Sequence, residues 1–482
     1  MAEAATRKAG IWTKLAYGFG AVGDGVKSNG FEYFLLLYYG QVLGVDFALV
    51  GAALLIAMIV DGATDPIVGY WSDNLRTKFG RRHPFMYAAI IPVGIAYYFV
   101  WNPPAGLDGN ELFPYLLAIT IAVRVSFTFY DVPSSALVAE LTDDYDERTS
   151  FLTFRHVRGW MGGLFIAVFA VRLLLVPTEE YGSGVYNIDG YQTYGLISAF
   201  VICFSVFVCA AGTHSHIPNL RQPPVARKMT VGRVFTEIGE TLSNKSFLWL
   251  FVATLFGFMA SGVASTLNFF INGFFWEFTT SQTALLTLSV FVSAILAFVI
   301  APIVSKTLGK KRGALTVGIL AFSIAPMPVL LRLMGVMPPN GTELLFNVVL
   351  CVTMIDVALI ITFQILSSSM IADIVEDSEL KTGRRSEGIF FAGILFMRKL
   401  ARGSGLFLAS LILAVAELSR DMQPGELTAE TLTTLGAGYA FGLLALWTTM
   451  IILLSRYKIS REDHAANLAA LERARTNSNV AE

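Results

Sequence analysis

Asp61 and Asp65 stand four residues apart in the stretch "MIVDGATDPIVGYWSDNLRTKFGRRHP", whose first part is apolar enough to enter a bilayer. On a helix that spacing puts both carboxylates on one face, about 6 Å apart along the axis. Two such groups in a low dielectric cannot both stay ionised without a positive partner. The candidates are a bound Na⁺ or Li⁺, a proton, or a Lys or Arg from a neighbouring span. A carboxylate pair that exchanges cations is the working part of a coupled transporter. The alternative for Asp65, which precedes Pro66 near a basic connector, is one side of a gate salt bridge.

Other ionisable residues lie within apolar runs: Asp24, Lys27, Glu32, Arg124, Asp131, Arg155, Arg158, Asp356, Asp373, Arg398, Lys399 and Arg402. Each costs about 2.5 to 3.5 kcal/mol at a helix centre on insertion scales, so such groups face a cavity or a partner. Asp131 is a third acid that can join the pair, and Lys399 is a counter-charge from the far half of the chain. Asp24 and Lys27, three apart, can neutralise each other locally. Arg124 and Asp131, seven apart on one face, read as an internal pair. Asp73, Arg81 and Arg82 read as gate residues at the end of their spans. Tyr33, Tyr38, Tyr39, Tyr130, Trp160, Asn268, Asn272, Trp276 and Gln364 offer aromatic faces and amides suited to a sugar ring, although interface anchoring and packing are the commoner uses of Tyr and Trp.

These residues need long apolar helices to hold them. The 482-residue chain is 55% hydrophobic and 15% charged, with mean hydropathy +0.61, whereas soluble chains are about a quarter charged. It is an integral membrane protein, and a net charge of -1 gives no reason to expect nucleic acid. Twelve spans of about 20 residues are expected, near 15–40, 47–71, 84–101, 113–138, 153–176, 194–212, 247–274, 283–307, 313–336, 344–372, 387–416 and 433–457. Basic residues concentrate in alternate connectors, for example Arg76, Lys78, Arg81 and Arg82, or Lys306, Lys310, Lys311 and Arg312. By the positive-inside rule those connectors and both termini are cytoplasmic. The N-terminal stretch has no signal-peptide pattern, so the first span is expected to be retained.

A polar, basic connector divides the spans into two groups of six: an N-terminal half at 1–212, a linker at 213–246, a C-terminal half at 247–460 and a tail at 461–482. That is the layout of the major facilitator architecture. Cys203, Cys209 and Cys351 lie in apolar runs without metal-ligand spacing and read as packing residues. No hydrolase, metalloprotease or phosphate-binding motif is present, so an enzyme is not expected. The glycines of "GWMGG" read as close helix packing.

The segments "LAYGFGAVGD", "DGATDPIVGYWSD", "TKFGRRHPF", "YDVPSSALVAELTDDYDERTSFLTFR" and "MIADIVEDSELKTGRRSEGIFFAGILFMRKLARGSG" resemble the glycoside-pentoside-hexuronide:cation symporters, the melibiose-carrier-like branch of the major facilitator superfamily. The resemblance implies cation coordination by Asp61 and Asp65, sugar contacts by Asp131 and Arg155, and a place for Lys399 near the cation site. Aligned on "YGFGA", the family's first-span acid falls on Gly25 and Asp24 comes one residue early, about 100° around the helix.

The expectation is therefore an all-α inner-membrane protein that couples a sugar or glycoside to Na⁺ or H⁺ and rocks its two halves about a central cavity. The expected cation ligands are Asp61, Asp65 and Asp131, the first two binding Na⁺ if sodium drives transport. Substrate contacts are expected from Asp24, Asp131, Arg155, Trp160, Asn268 and Lys399, and gating from Asp73, Arg81, Arg82, Arg148 and Asp373. No cofactor beyond the coupling ion is expected, and the chain is expected to work as a monomer in the bilayer. Two alternatives accompany this reading: a cation-coupled carrier of a lysolipid or other amphipathic solute, and a membrane sensor without flux.

Overall fold

The computed structural model describes residues 10–142, 145–182, 184–219, 245–382, 387–418 and 425–456. Most of the linker, the C-terminal tail and several helical side chains, including those of Arg148 and Asp373, lie outside the described residues. Every regular element among the described residues is helical.

Among the described residues twelve spans follow one another. The first, α1, covers residues 11–42 and is built from Ile11–Phe19, Ala21–Asn29 and the π-helical segments Gly30–Phe34 and Leu37–Val42. Then come α2 (Phe47–Asn74), α3 (His83–Trp101), α4 (Phe113–Leu141), α5 (Tyr145–Phe169, prolonged by Ala170–Leu174) and α6 (Ile188–His214). The later spans are α7 (Lys245–Phe270, prolonged by Ile271–Phe275), α8 (Thr280–Leu308), α9 (Lys310–Ile324 followed by Met327–Leu333), α10 (Glu343–Thr382), α11 (Glu387–Val415) and α12 (Ala429–Ser455). All of these except α1 and α11 are long and apolar enough, among the described residues, to cross a bilayer by composition alone. The two exceptions are the spans loaded with charge: Lys14, Asp24, Lys27 and Glu32 on α1, and Arg398, Lys399 and Arg402 on α11.

Local chemistry sets the ends. Asp46 caps α2 by accepting from the Ala48 N–H at 2.7 Å, and Thr279 opens α8 with a capping box completed by Gln282. Each cap satisfies amides that the first turn leaves without an intrahelical partner.

Within the first six spans, α1 packs on α5 and α6, α2 on α4, and α3 on α4 and α6; within the last six, α7 packs on α11 and α12, and α10 on α8 and α9. Two seams join the groups, α2 against α11 and α5 against α8, with α1 also touching α7. The α1–α5 approach depends on glycine. A Cβ on Gly25 would lie 1.9 Å from the Gly159 carbonyl oxygen, and one on Gly163 would lie 2.5 Å from that of Gly25. The α2–α11 seam is similarly tight, since a Cβ on Gly51 would meet Ser410 Oγ at 1.9 Å.

At one end of the bundle the groups close over aromatic rings. Phe269 of α7 lies 5.5 Å from Tyr33 and 5.2 Å from Phe34 of α1, and Phe270 lies 5.7 Å from Phe47 of α2. The opposite end carries Arg81, Arg82 and Glu140, and the ion pairs there stay within the first group of spans among the described residues.

Candidate functional site

Between the seams lies a network of mid-span charges. Asp61 and Asp65 project from one face of α2, as their spacing requires, and meet Lys399 of α11. Its Nζ is 3.0 Å from Asp61 Oδ2 and 2.7 Å from Asp65 Oδ2. Thr128 of α4 donates to Asp61 Oδ1 at 2.8 Å and lies 3.4 Å from Asp65 Oδ1. Arg124, one turn earlier on α4, stands 3.5 Å from Asp61 Oδ2. Asp61 is buried at 5% exposure, while the Lys399 and Asp65 side chains are 29% and 25% exposed. The network therefore has one face in the protein and one open to the space between the halves.

Two expectations change here. Arg124 pairs with Asp61 rather than with Asp131, seven residues along its own helix, because the α2–α4 packing brings Asp61 to its guanidinium. Asp131 turns away from the α2 acids to Arg155 of α5, 2.5 Å off. The same guanidinium donates to Ser134 Oγ at 3.0 Å and lies 3.4 Å from the Tyr17 hydroxyl of α1. The oxygens gathered around Lys399 Nζ are thus those of Asp61 and Asp65, with Thr128 bound to the same carboxylates and Asp131 in a second cluster. Among the described residues no group of three or more His, Cys, Asp or Glu is placed to hold a metal ion.

Asp24 pairs with Lys27 at 2.9 Å, and its side chain is 47% exposed. Lys27 also lies 3.8 Å from the centre of the Phe127 ring, a cation–π contact. Gly25, where the family acid would align, has its missing Cβ against the α5 backbone. An acid there would collide with Gly159, so α1 carries the carboxylate at Asp24 and not at residue 25.

Arg402 of α11 reaches Glu32 of α1 at 2.6 Å, a second ion pair across the halves with Glu32 buried. Asp356 of α10 has a buried Oδ1 without a hydrogen-bond partner among the described residues.

Of the remaining candidates, Trp160 is 40% exposed and stands edge-on to Phe291 of α8, in the α5–α8 seam rather than among the charges. Asn268 accepts from Asn272 on its own span at 3.2 Å. The Tyr38 and Tyr39 hydroxyls donate to the Trp101 and Val100 carbonyls, and Trp276 is buried against Phe275, so these three pack the bundle. Asp73 pairs with Arg82 at 2.6 Å, while Arg81 and Arg82 both pair with Glu140, at 2.7 and 2.8 Å. The gating candidates Arg148 and Asp373 have side chains outside the described residues.

Sequence reading missed Thr128, Glu140 and the Glu32–Arg402 pair. Thr128 had a signal, since it precedes Asp131 by one helical turn and offers a hydroxyl at the level of the α2 acids. Glu140 had one too, being the acid at the end of α4 beside the "GRR" connector. The Glu32–Arg402 pair had none.

Comparison with known proteins agrees with this arrangement. The family model described as "MFS/sugar transport protein" matches residues 16–461. The putative glycoside/cation symporter YagG of Escherichia coli is 24% identical, covering 93% of this chain and 92% of its own. The isoprimeverose transporter of Lactiplantibacillus pentosus is also 24% identical, over 79% of this chain and 75% of its own. A crystal structure of the nucleoside transporter NupG superposes with a TM-score of 0.63 at 14% identity, covering 91% of this chain and 99% of that one, a likeness of fold. With twelve helical spans and two seams between groups of six among the described residues, and a family match over residues 16–461, the chain belongs to the sugar-transport family of the major facilitator superfamily.

Proposed function

We infer that this protein carries a sugar or glycoside together with Na⁺ or H⁺, exchanging access by rocking residues 1–212 against residues 247–460. One observation carries the reading: two carboxylates from the first half, one of them holding a hydroxyl, converge on an ammonium group supplied by the second. Such oxygens suit a hard monovalent cation or a proton, and Lys399 holds their charge balanced meanwhile. A coupling cation that enters this site competes with Lys399, releases it and so loosens one tie between the halves. Ion binding and domain motion are then one event. Binding linkage requires the reverse as well, so substrate tightens cation binding by the same factor.

The basic connectors support a cytoplasmic placement of the Arg81 end and of both termini. On that orientation the aromatic closure at Phe269 and Phe270 faces outward and the cleft faces the cytoplasm. Asp73, Arg81, Arg82 and Glu140 then brace the inner rim, while Asp24, Asp131 and Arg155 present polar groups to the solute. The names of the relatives YagG and the isoprimeverose transporter support a glycoside as the solute.

The test is uptake of labelled glycosides into proteoliposomes under an imposed Na⁺ or H⁺ gradient, beside Asp61→Asn. Accumulation that follows one gradient and collapses in the variant is expected. Undiminished accumulation by Asp61→Asn would remove the cation-site assignment, and absence of any glycoside flux would remove the substrate class.

A further inference from the structure

Two basic residues of α11 make ion pairs across the halves. Lys399 reaches Asp61 and Asp65 of α2, and Arg402 reaches Glu32 of α1 at 2.6 Å. Arg402 is three residues on from Lys399, so both side chains leave one face of α11, about 4.5 Å apart along the axis. Near its close α11 lines a cavity, through Leu413 and Ala414, with Gly44 and Phe47, so it runs toward the Phe269 end. Arg402 is therefore the nearer of the two to the aromatic closure. Its partner is nearer still: Glu32 belongs to the π-helical segment Gly30–Phe34, whose Tyr33 and Phe34 rings meet Phe269. The Glu32–Arg402 pair thus stands between the cation site and the closure.

Each partner is fixed to its own half. Phe31, beside Glu32, stacks on Tyr97 of α3 at 6.0 Å. On the other side, a Cβ on Gly262 of α7 would lie 2.7 Å from the Arg402 carbonyl oxygen, so α11 packs hard against α7 at this level. Phe269 lies seven residues further along the same α7. Parting Phe269 from Tyr33 and Phe34 carries α7, and α11 with it, away from α1, and the Glu32–Arg402 pair must break in that movement. Breaking it strands a carboxylate that is 4% exposed. The grip is nevertheless a breakable one. The Arg402 side chain is 43% exposed, and its buried Nε has no hydrogen-bond partner among the described residues, so the guanidinium is short of its side-on two-point hold. A cation entering between Asp61 and Asp65 releases Lys399 and leaves this second pair in place.

We propose that Glu32 and Arg402 form a lock that keeps the Phe269 end shut when the cation alone is bound, so that the cation does not cross without solute. The proposal rests on the cation site inferred above. Opening at that end then draws on the differential binding energy of the solute as well as that of the cation. Glu32 and Arg402 are positioning residues in this scheme, acting through the closure and not on the solute.

The experiment measures the closure directly in the purified full chain. Spin labels go on Ala105→Cys and Val336→Cys, two exposed positions in the connectors after α3 and α9, with Cys203, Cys209 and Cys351 replaced by alanine. Label separation is read by double electron–electron resonance without solute, at low and high Na⁺ and at two pH values. Wild type is expected to keep one short separation throughout. Glu32→Gln and Arg402→Gln should each move the open-to-closed ratio about 5-fold or more toward open once the cation is added. The charge swap, Glu32→Arg with Arg402→Glu, should return the short separation, which a merely structural role for either residue would not produce. In proteoliposomes the single variants should also pass ²²Na⁺ or protons without solute, and wild type and the swap should not. Opening of wild type by cation alone, single variants as closed as wild type, or a swap that behaves like the singles overturns the proposal. Single variants that open equally with and without cation keep the lock and remove the cation-site reading.

Discussion

The turns that end α1 and α7 are the same piece of backbone used twice. In the first, Leu43 N–H donates to the Tyr38 carbonyl and Val45 N–H to that of Tyr39, both at 2.9 Å; in the second, Trp276 donates to Ile271 and Phe278 to Asn272, again at 2.9 Å. Both turns follow a π-helical segment, pass through a residue with positive φ (Gly44 at 74°, Glu277 at 55°) and lead into a side-chain cap, Asp46 or Thr279. The side chains before these turns differ completely. The first span carries Asp24, Lys27 and Glu32, whereas the seventh has no ionisable residue between Lys245 and its turn. The fold is repeated and the chemistry is not. The first half keeps the acids of the cleft, and α11 of the second half lends Lys399 and Arg402 as their counter-charges. An asymmetric pair of this kind lets one moving helix neutralise or release a site that stays otherwise fixed.

The strongest way to break that division of labour is Lys399→Ala. Removing the shared ammonium leaves, among the described residues, Asp61 with Arg124 alone and Asp65 with no cation, and truncating one side of a buried pair costs about 3–5 kcal/mol. Thermal unfolding in detergent should show the loss, and added coupling cation should restore stability more in the variant than in wild type. Equal response of both proteins would show that Lys399 and the cation do not compete.

Glu32→Gln combined with Arg402→Gln sharpens the comparison at the second cross-half pair. Either single change should cost roughly 1–3 kcal/mol, toward the lower end because the Arg402 side chain is 43% exposed. The double variant should cost less than the sum, since neither group is then left unpaired. Full additivity, read from the same unfolding curves, would mean that the pair contributes nothing across the halves.

A third change acts on the seam itself. Gly51→Val pushes a side chain into Ser410, and overpacking of this sort costs about 1–3 kcal/mol in the state where α2 and α11 touch. Alternating access should shift away from that state, seen as slower cysteine labelling at the Arg81 end of the cleft and faster labelling at the Phe269 end. Unchanged accessibility would separate the α2–α11 contact from the transport cycle.

The spans were legible because length and apolarity are one-dimensional. Residue 47 marks the start of α2 in both the hydropathy and the structure, since an apolar run follows directly on the Asp46 cap. The Asp61–Asp65 face was legible for the same reason, as one helix decides it alone. Lys399 as their counter-charge from the far half also held, and what failed was the pairing of the two charges of α4. Arg124 and Asp131 do share a face of α4, but α2 and α5 approach that face at different heights and take one residue each. The Glu32–Arg402 pair lay further out of reach, since it needs the knowledge that α1 and α11 come together from opposite halves. Asp24 shows the opposite case. The chain alone gives only its offset from the family position, and the α1–α5 glycine contact supplies the reason, since Gly25 admits no side chain.

The smallest expected effect tests the repeat at its most literal point. Gly44 and Glu277 occupy one position of the same turn, in the region of backbone space that costs an L-residue about 1–2 kcal/mol. Glycine accepts it freely, while glutamate there carries a strain that the rest of the turn must outweigh. Exchanging the residue types should therefore move stability in opposite directions. Glu277→Gly should stabilise by up to about 1 kcal/mol, less the entropy glycine returns to the unfolded chain, and Gly44→Ala should destabilise by about as much. Gly44 also borders a cavity lined by Leu413 and Ala414 of α11, so its variant reports on the seam as well as on the turn. If Glu277→Gly is neutral while Gly44→Ala is costly, the two turns share their hydrogen bonds but not their energetics, and the first alone is under constraint.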